Sequence, residues 1–250
     1  MMRYAGLTDP GHLREHNEDA WQVCSLTSGH MLFVVSDGVG GHAAGEIASR
    51  IVVETLPLLL DPRISRDTDV IAQKRAMEES LAALSYQVLA QTRQMPGAAG
   101  MAATAICGLL ADGMLVLGHM GDSRCYRLRD GILQRLTKDH TVVQMLLDLG
   151  EIAANQLIGH PAAGRLTQAV GMDQEPLPHI SAIALNPADI LLFCSDGLHG
   201  MIDDEKITGI LSLRQKPKNI CKTLLNAALE AGGRDNITVI VVEIEKMENQ

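Results

Sequence analysis

Three dipeptides constrain this chain more than any other feature: Ser28-Gly29, Asp112-Gly113 and Asp130-Gly131 each sit between two apolar runs. A two-residue turn of this chemistry closes an antiparallel hairpin, because its left-handed backbone matches the twist of the paired strands. The chain accordingly predicts strand pairs at 21–27 with 31–36, 104–110 with 114–119, and 123–128 with 132–136. Further strands are expected at 180–185, 190–195 and 236–244.

Helical periodicity appears elsewhere. Ile47, Ile51, Thr55 and Leu58 share one expected helix face, and Leu81, Leu84, Val88 and Met95 share another. Helices are also expected at 141–149 ahead of Gly150, and after the capping run Asp203-Asp204-Glu205 through Ile207 and Ile210. A last one is expected at 217–231, with Pro217 in its first turn and Gly232 as a left-handed stop. Strands in meanders and helices in pairs predict an α+β chain, with helices packed on antiparallel sheets. Residues 61–74 and 150–178 read as long loops. The second is too long for a passive connection and is expected to be mobile or to face a substrate. No linker separates these parts, so 1–250 is read as a single domain.

Composition removes several functions. Hydrophobic residues, at 46%, supply a core, but aromatics at 2% leave almost nothing for stacking single-stranded nucleic acid. A net charge of −9 opposes binding to phosphate backbones or anionic membranes. No apolar run reaches spanning length, and the start lacks a signal-peptide pattern. The five cysteines form no CxxC pair and read as buried thiols of a reducing compartment, so a cytoplasmic location is expected. His30, His119 and His179, beside or within apolar runs, read as structural residues, as does His140 at the start of a helix.

One internal echo points to chemistry. The run Phe33-Val34-Val35-Ser36-Asp37-Gly38 is repeated as Leu192-Phe193-Cys194-Ser195-Asp196-Gly197. Asp122 likewise ends an apolar run, and Asp235 begins one. Taken singly, each is a turn residue. Taken together, several carboxylates at the mouths of buried strands lose hydration and repel one another unless cations join them. Oxygen ligands with flanking glycine carbonyls suit hard ions such as Mg²⁺ or Mn²⁺. Near the start, Arg14-Glu15-His16-Asn17-Glu18-Asp19 combines a phosphate-matching guanidinium with carboxylates able to hold metal-bound waters.

These residues resemble the metal-dependent serine/threonine protein phosphatases of the 2C type, in their bacterial form, over almost the whole chain. The resemblance is carried in order by Gly11-x-x-Arg14-x-x-Asn17-Glu18-Asp19, Ser36-Asp37-Gly38-Val39-Gly40-Gly41-His42, Gly121-Asp122-Ser123-Arg124, Thr137-Lys138-Asp139-His140, Ser195-Asp196-Gly197-Leu198 and Gly233-Arg234-Asp235-Asn236. It implies a four-layer α-β-β-α sandwich of two antiparallel sheets. It also implies Mn²⁺ or Mg²⁺ as cofactor, with two core ions and a third, weaker one. Asp37 would bridge two metals, with the Gly38 carbonyl on one and Asp196 and Asp235 on the other, and Asp122 with Asp196 would hold the third. Arg14 would bind the substrate phosphate, while Glu18 and Asp19 would act through water. A metal-bridging hydroxide would attack phosphorus in line. The partners implied are phosphoserine and phosphothreonine proteins and a cognate serine/threonine kinase, and a monomer is expected.

The chain departs from the family pattern in places. Ala102-Ala103-Thr104 stands where Gly-Thr-Thr is usual, so a less hydrogen-bonded turn is expected. Val39 stands where some members carry a general-acid histidine, which leaves His42 as the nearest candidate. The stretch 160–165, in the flap-like segment 150–178, matches only partly. Among rivals, His12-Leu13-Arg14-Glu15-His16 matches an inverted zinc-peptidase signature but lacks helical context. The run from Gly38 to Ala43 matches a dinucleotide fingerprint without a following ribose-binding strand. The remaining alternative is an inactive relative that binds phosphoproteins, which the retained aspartates oppose.

Overall fold

Strands that are apolar at every position need cover on both faces. The computed structural model, which describes residues 2–40, 43–156 and 159–245, provides it with two stacked sheets flanked by helices. In the first sheet the spatial order is β2 (Asp19–Ser25), β3 (Met31–Val39), β5 (Ala105–Ala111), β6 (Met114–Met120) and β9 (His179–Ala184), with β4 (Ala102–Ala103) paired to β3. In the second it is β1 (Met2–Asp9), β11 (Ile237–Ile244), β10 (Ile190–Cys194), β7 (Arg124–Arg129) and β8 (Ile132–Arg135). Every pairing is antiparallel. The expected turns close their hairpins, with Asp112 and Gly113 at φ 47° and 75° and Asp130 and Gly131 at φ 50° and 79°.

Period-two alternation sorts each strand between layers. Phe33 and Val35 point between the sheets, while Leu32 and Val34 pack under α1 (Ala43–Leu60) and α2 (Val70–Gln94). Leu191 and Phe193 likewise face inward, and Leu192 and Cys194 pack under α5 (Asp204–Leu211) and α6 (Pro217–Glu230). The sequence has only two phenylalanines, and they stack on each other across the sheets with centroids 6.0 Å apart. Gly108 makes room for that stack, since a Cβ there would lie 2.6 Å from the Phe193 ring.

Several expectations are corrected. The buried stripe of α1 is Ala44, Ala48, Val52 and Leu56, and Leu58 is 72% exposed. Small alanines seat that helix against the sheet, so the spacing of its larger residues misleads. The expected loop at 61–74 is shorter, because the Asp69 carboxylate accepts the Ala72 amide at 2.8 Å and starts α2 at Val70. Met95 lies past the end of α2 and is exposed. Beyond α6 the expected glycine stop stands at Gly232, φ 130°, and a second positive-φ glycine, Gly233 at φ 50°, follows it. The helix expected at 141–149 is α3 (Val142–Asp148), capped by Thr141.

Besides the two-residue β4, β1 and α4 lay outside the sequence expectations. β1 has no apolar alternation; it is held by eight residue pairs with β11 and by Trp21, which lies over Gly6. The short α4 (Asp196–His199) begins at the repeated aspartate itself. Among the described residues no helix is long and apolar enough to cross a membrane.

The inter-sheet stack yields a stability prediction. Phe193→Ala should leave a void beside Gly108 and Phe33 and cost about 3–5 kcal/mol in chemical denaturation. A loss below about 1 kcal/mol would mean that the layer collapses onto the gap.

Candidate active site

One Ser-Asp-Gly run ends β3, an interior strand of the first sheet, and the other follows β10, the central strand of the second. β3 delivers Asp37 and β10 leads into Asp196. Asp19 opposes Asp37 in the β2–β3 register, Asp122 follows β6, and Asp235 precedes β11. Glycine after each repeated aspartate is a steric requirement. A Cβ on Gly38 would collide with the Gly45 carbonyl, and one on Gly197 with the Asn236 carbonyl.

Short polar side chains tie these strand ends together. The Ser195 hydroxyl donates to Asp19 Oδ2 at 2.7 Å and accepts from the Thr238 amide at 3.0 Å, joining the two sheets. The Ser36 hydroxyl donates to the Thr104 carbonyl at 2.6 Å. The Thr104 hydroxyl accepts from the Asp37 amide at 2.9 Å and lies 2.7 Å from Ser123 Oγ. The turn at Ala102-Ala103-Thr104 is therefore well bonded, against expectation, because Thr104 supplies the side-chain contacts and the Ala103 backbone pairs with Val170.

Asn236 holds the loop that carries Arg14. Its amide donates to the Pro10 and His16 carbonyls at 2.9 Å each, and its carbonyl oxygen accepts from the Glu18 amide at 2.7 Å. Asn236, Ser195 and Thr104 are positioning residues to which the sequence motifs alone assign no role. Their signal was chemical: a short polar side chain directly beside each aspartate or facing it. Residues 12–16 are turn and bend, so the two histidines of the zinc-peptidase match share no helix. After β3 and α1 the chain enters α2 rather than a parallel strand, which removes the dinucleotide reading.

The strand ends floor a cleft of roughly 630 Å³ lined by Arg14, Glu18, Asp37, Gly38, Asp122, Asp196 and Asp235. Gly164 and Leu166, from the segment 150–178, form part of its wall. That segment is anchored by bridges between Thr141 and Leu166 and between Ala103 and Val170. His42 lies outside the described residues. His119 is structural: its Nε2 lies 2.8 Å from the Lys138 carbonyl, and burial pushes it down to about 4. His140 accepts from the Gly121 amide and so holds the Asp122 turn, leaving the start of α3 to Thr141.

Charge is the defining property of this cleft. Burial, then the charges of Asp19, Asp196 and Asp122, push the Asp37 carboxyl well above the usual range. Burial and then Asp196 raise Asp122 to about 8. Burial raises Asp19 to about 7, even though Ser195 and Thr238 bond to it. Asp196 is raised by burial and then Asp235, and its buried Oδ1 has no hydrogen-bond partner. The Arg14 guanidinium donates to Asp235 Oδ2 at 2.7 Å. Among the described residues no three His, Cys, Asp or Glu side chains are grouped so that they could hold a metal ion by themselves. Crowded carboxylates with an orphaned buried oxygen still fit hard cations, which complete their coordination with carbonyls and retained waters.

The model of one family, protein phosphatase 2C, matches residues 11–232. The chain belongs to that family. It is similar to the serine/threonine protein phosphatase PstP of Mycobacterium tuberculosis, with 36% identity over 244 residues that cover 98% of this chain and 45% of PstP. It therefore spans less than half the length of that relative. The structure of the S. agalactiae serine/threonine phosphatase superposes with a TM-score of 0.93 at 28% identity, covering 98% of this chain and 100% of that one. The catalytic domain of PstP, solved in complex with two manganese ions, superposes with a TM-score of 0.82 at 33% identity, covering 98% and 99%. The four-layer sandwich is thus the family's own fold.

The raised carboxyls make stability depend on pH in a defined direction. Folded, they bind protons more tightly than the unfolded chain does, so their contribution is complete below about pH 4 and is lost as pH rises toward about 8. In EDTA, the melting temperature should be at least about 3 °C higher near pH 5.5 than near pH 8, which is roughly 1 kcal/mol for a chain of this size. Added Mn²⁺ should remove the difference. A higher melting temperature near pH 8 in EDTA would contradict the charge crowding.

Proposed function

We propose that this chain hydrolyses phosphoserine and phosphothreonine on proteins, using Mn²⁺ or Mg²⁺ held among its carboxylates. One observation carries the reading: both sheets deliver buried, mutually repelling aspartates to a single cleft beside Arg14. Asp37, the Gly38 carbonyl, Asp196 and Asp235 would hold two cations, and Asp122 with Asp196 a weaker third. When bound, the cations would supply an activated water and neutralise charge building on the phosphoryl oxygens.

The chain's own residues would do the rest. Arg14 would orient the substrate phosphate with its planar fork. It pairs with Asp235 in this structure, so neutralising Asp235 by a cation would free the guanidinium for substrate. Glu18, at the cleft, would act through water, as would the Asp19 Oδ1 that Ser195 leaves unpartnered. His42 is the proposed proton donor to the leaving oxygen. The substrates would be phosphoproteins produced by a cognate serine/threonine kinase, and the protein would act as a monomer. The five free cysteines support a reducing, cytoplasmic setting. An inactive phosphoprotein-binding role has less support, because all four aspartates proposed as ligands line the cleft.

Turnover of a phosphothreonine peptide and of p-nitrophenyl phosphate, with Mn²⁺ and with EDTA, tests this reading. EDTA should abolish both activities. Asp37→Asn should lower turnover by at least about 10²–10³-fold while circular dichroism stays unchanged. Full activity in EDTA, or near-normal turnover by Asp37→Asn, would overturn the assignment.

A further inference from the structure

The carboxylate cleft does not end at Val39. A second cavity of roughly 540 Å³ shares Val39, Gly164 and Leu166 with it and continues between the end of α2, β4 and the chain from 164 to 173. Beyond that threshold its walls are mostly apolar, with Leu89, Met101, Ala169 and Met172. The walls are tied down by backbone and side-chain bonds. Val170 and Ala103 exchange amide hydrogen bonds of 2.8 and 3.0 Å, and the Gly171 amide donates to Ser85 Oγ at 3.0 Å.

Charge at the rim is asymmetric. Arg93 pairs with Asp173 at 2.9 Å across the groove and is neutralised there. Arg165 is exposed and makes no ion pair among the described residues, although its backbone is fixed by the Val142 amide. A phosphate held at the carboxylates leaves the rest of its polypeptide to exit the cleft. The shared threshold opens one such exit onto an apolar wall that ends at an unpaired cation.

We infer that this groove receives the stretch of the phosphoprotein adjoining its phosphorylated residue, with an apolar side chain between Leu89 and Met172 and an acidic residue at Arg165. The inference rests on the phosphatase reading above and assigns that site a substrate preference. Overlap with the cleft identifies the occupant, since a segment lying here is covalently continuous with the group in the cleft.

The test uses the full chain with Mn²⁺ and compares phosphothreonine peptides with leucine, glycine, acidic or lysine flanks on either side, beside p-nitrophenyl phosphate. Leucine-flanked peptides should exceed glycine-flanked ones in kcat/KM by about tenfold, the gain expected from one well-buried aliphatic side chain. Met172→Asp should remove that preference. Arg165→Glu, at an exposed position, should reverse the preference for acidic over lysine flanks. Neither residue lines the carboxylate cleft, so turnover of the small ester serves as the reference. Equal kcat/KM for all flanks, or preferences that survive both substitutions, would overturn the groove while small-ester turnover upholds the phosphatase reading. Absence of turnover on every substrate would overturn both.

Discussion

Negative charge buried where two sheets meet is the constraint on which the rest of this structure depends. Asp19, Asp37, Asp122 and Asp196 sit at the ends of apolar strands, where burial, and then neighbouring carboxylates, raise their proton affinity. Such a cluster persists only because the surrounding framework over-determines it. Ser195 joins Asp19 to Thr238 across the sheets, Thr104 fixes Asp37 to Ser123, and Asn236 pins the Arg14 loop. The Arg14–Asp235 pair supplies partial compensation on the rim. On the reading proposed above, cations would supply the remainder, which would link occupancy of the site to stability of the fold.

The layers behind the cleft explain how that framework stays rigid. Apolar residues on both faces of β3 and β10 pack into separate cores, and Phe33 on Phe193 locks the two strands that carry Asp37 and Asp196. Away from the cleft, Arg124 meets Asp139 through a fork of 2.6–3.2 Å contacts, so the Thr137–His140 run buttresses the strand after Asp122. Asp139 is pulled below the usual carboxylate range there, chiefly through Arg124 once burial is overcome. Two aspartates in neighbouring motifs thus have opposite electrostatic fates. Asp139 has a bidentate guanidinium, whereas for Asp122 burial and the charges of Asp196 and Asp139 outweigh the more distant Arg124.

Much of this was legible in the sequence, for local reasons. Turn dipeptides and apolar runs located nine strands, because an Asp-Gly pair with two left-handed residues leaves the chain little choice but a hairpin. The repeated Ser-Asp-Gly disclosed the site, because an apolar strand has few uses for a carboxylate at its mouth. What stayed illegible depends on distant partners. β1 reads as irregular chain until β11 lies beside it, and the buried face of α1 is set by Ala44 and Ala48 rather than by its larger residues. The pairing of Arg14 with Asp235 spans 221 positions and has no local signature. Asn236 sat within a recognised motif, yet its task appears only once residues 10, 16 and 18 are folded over it.

The segment 150–178 shows the same division. Its length announced that it was not a passive connection, and the structure turns Gly164 and Leu166 toward the carboxylates. The carboxylates themselves report their crowding through the protons they release when a cation binds. Mn²⁺ titrated calorimetrically near pH 6.5, in two buffers of different ionisation enthalpy, counts the protons expelled. The account predicts release of about one proton or more per chain, because Asp122 near 8 and Asp19 near 7 retain protons that a cation displaces. Mn²⁺ binding with no proton release at that pH would contradict it.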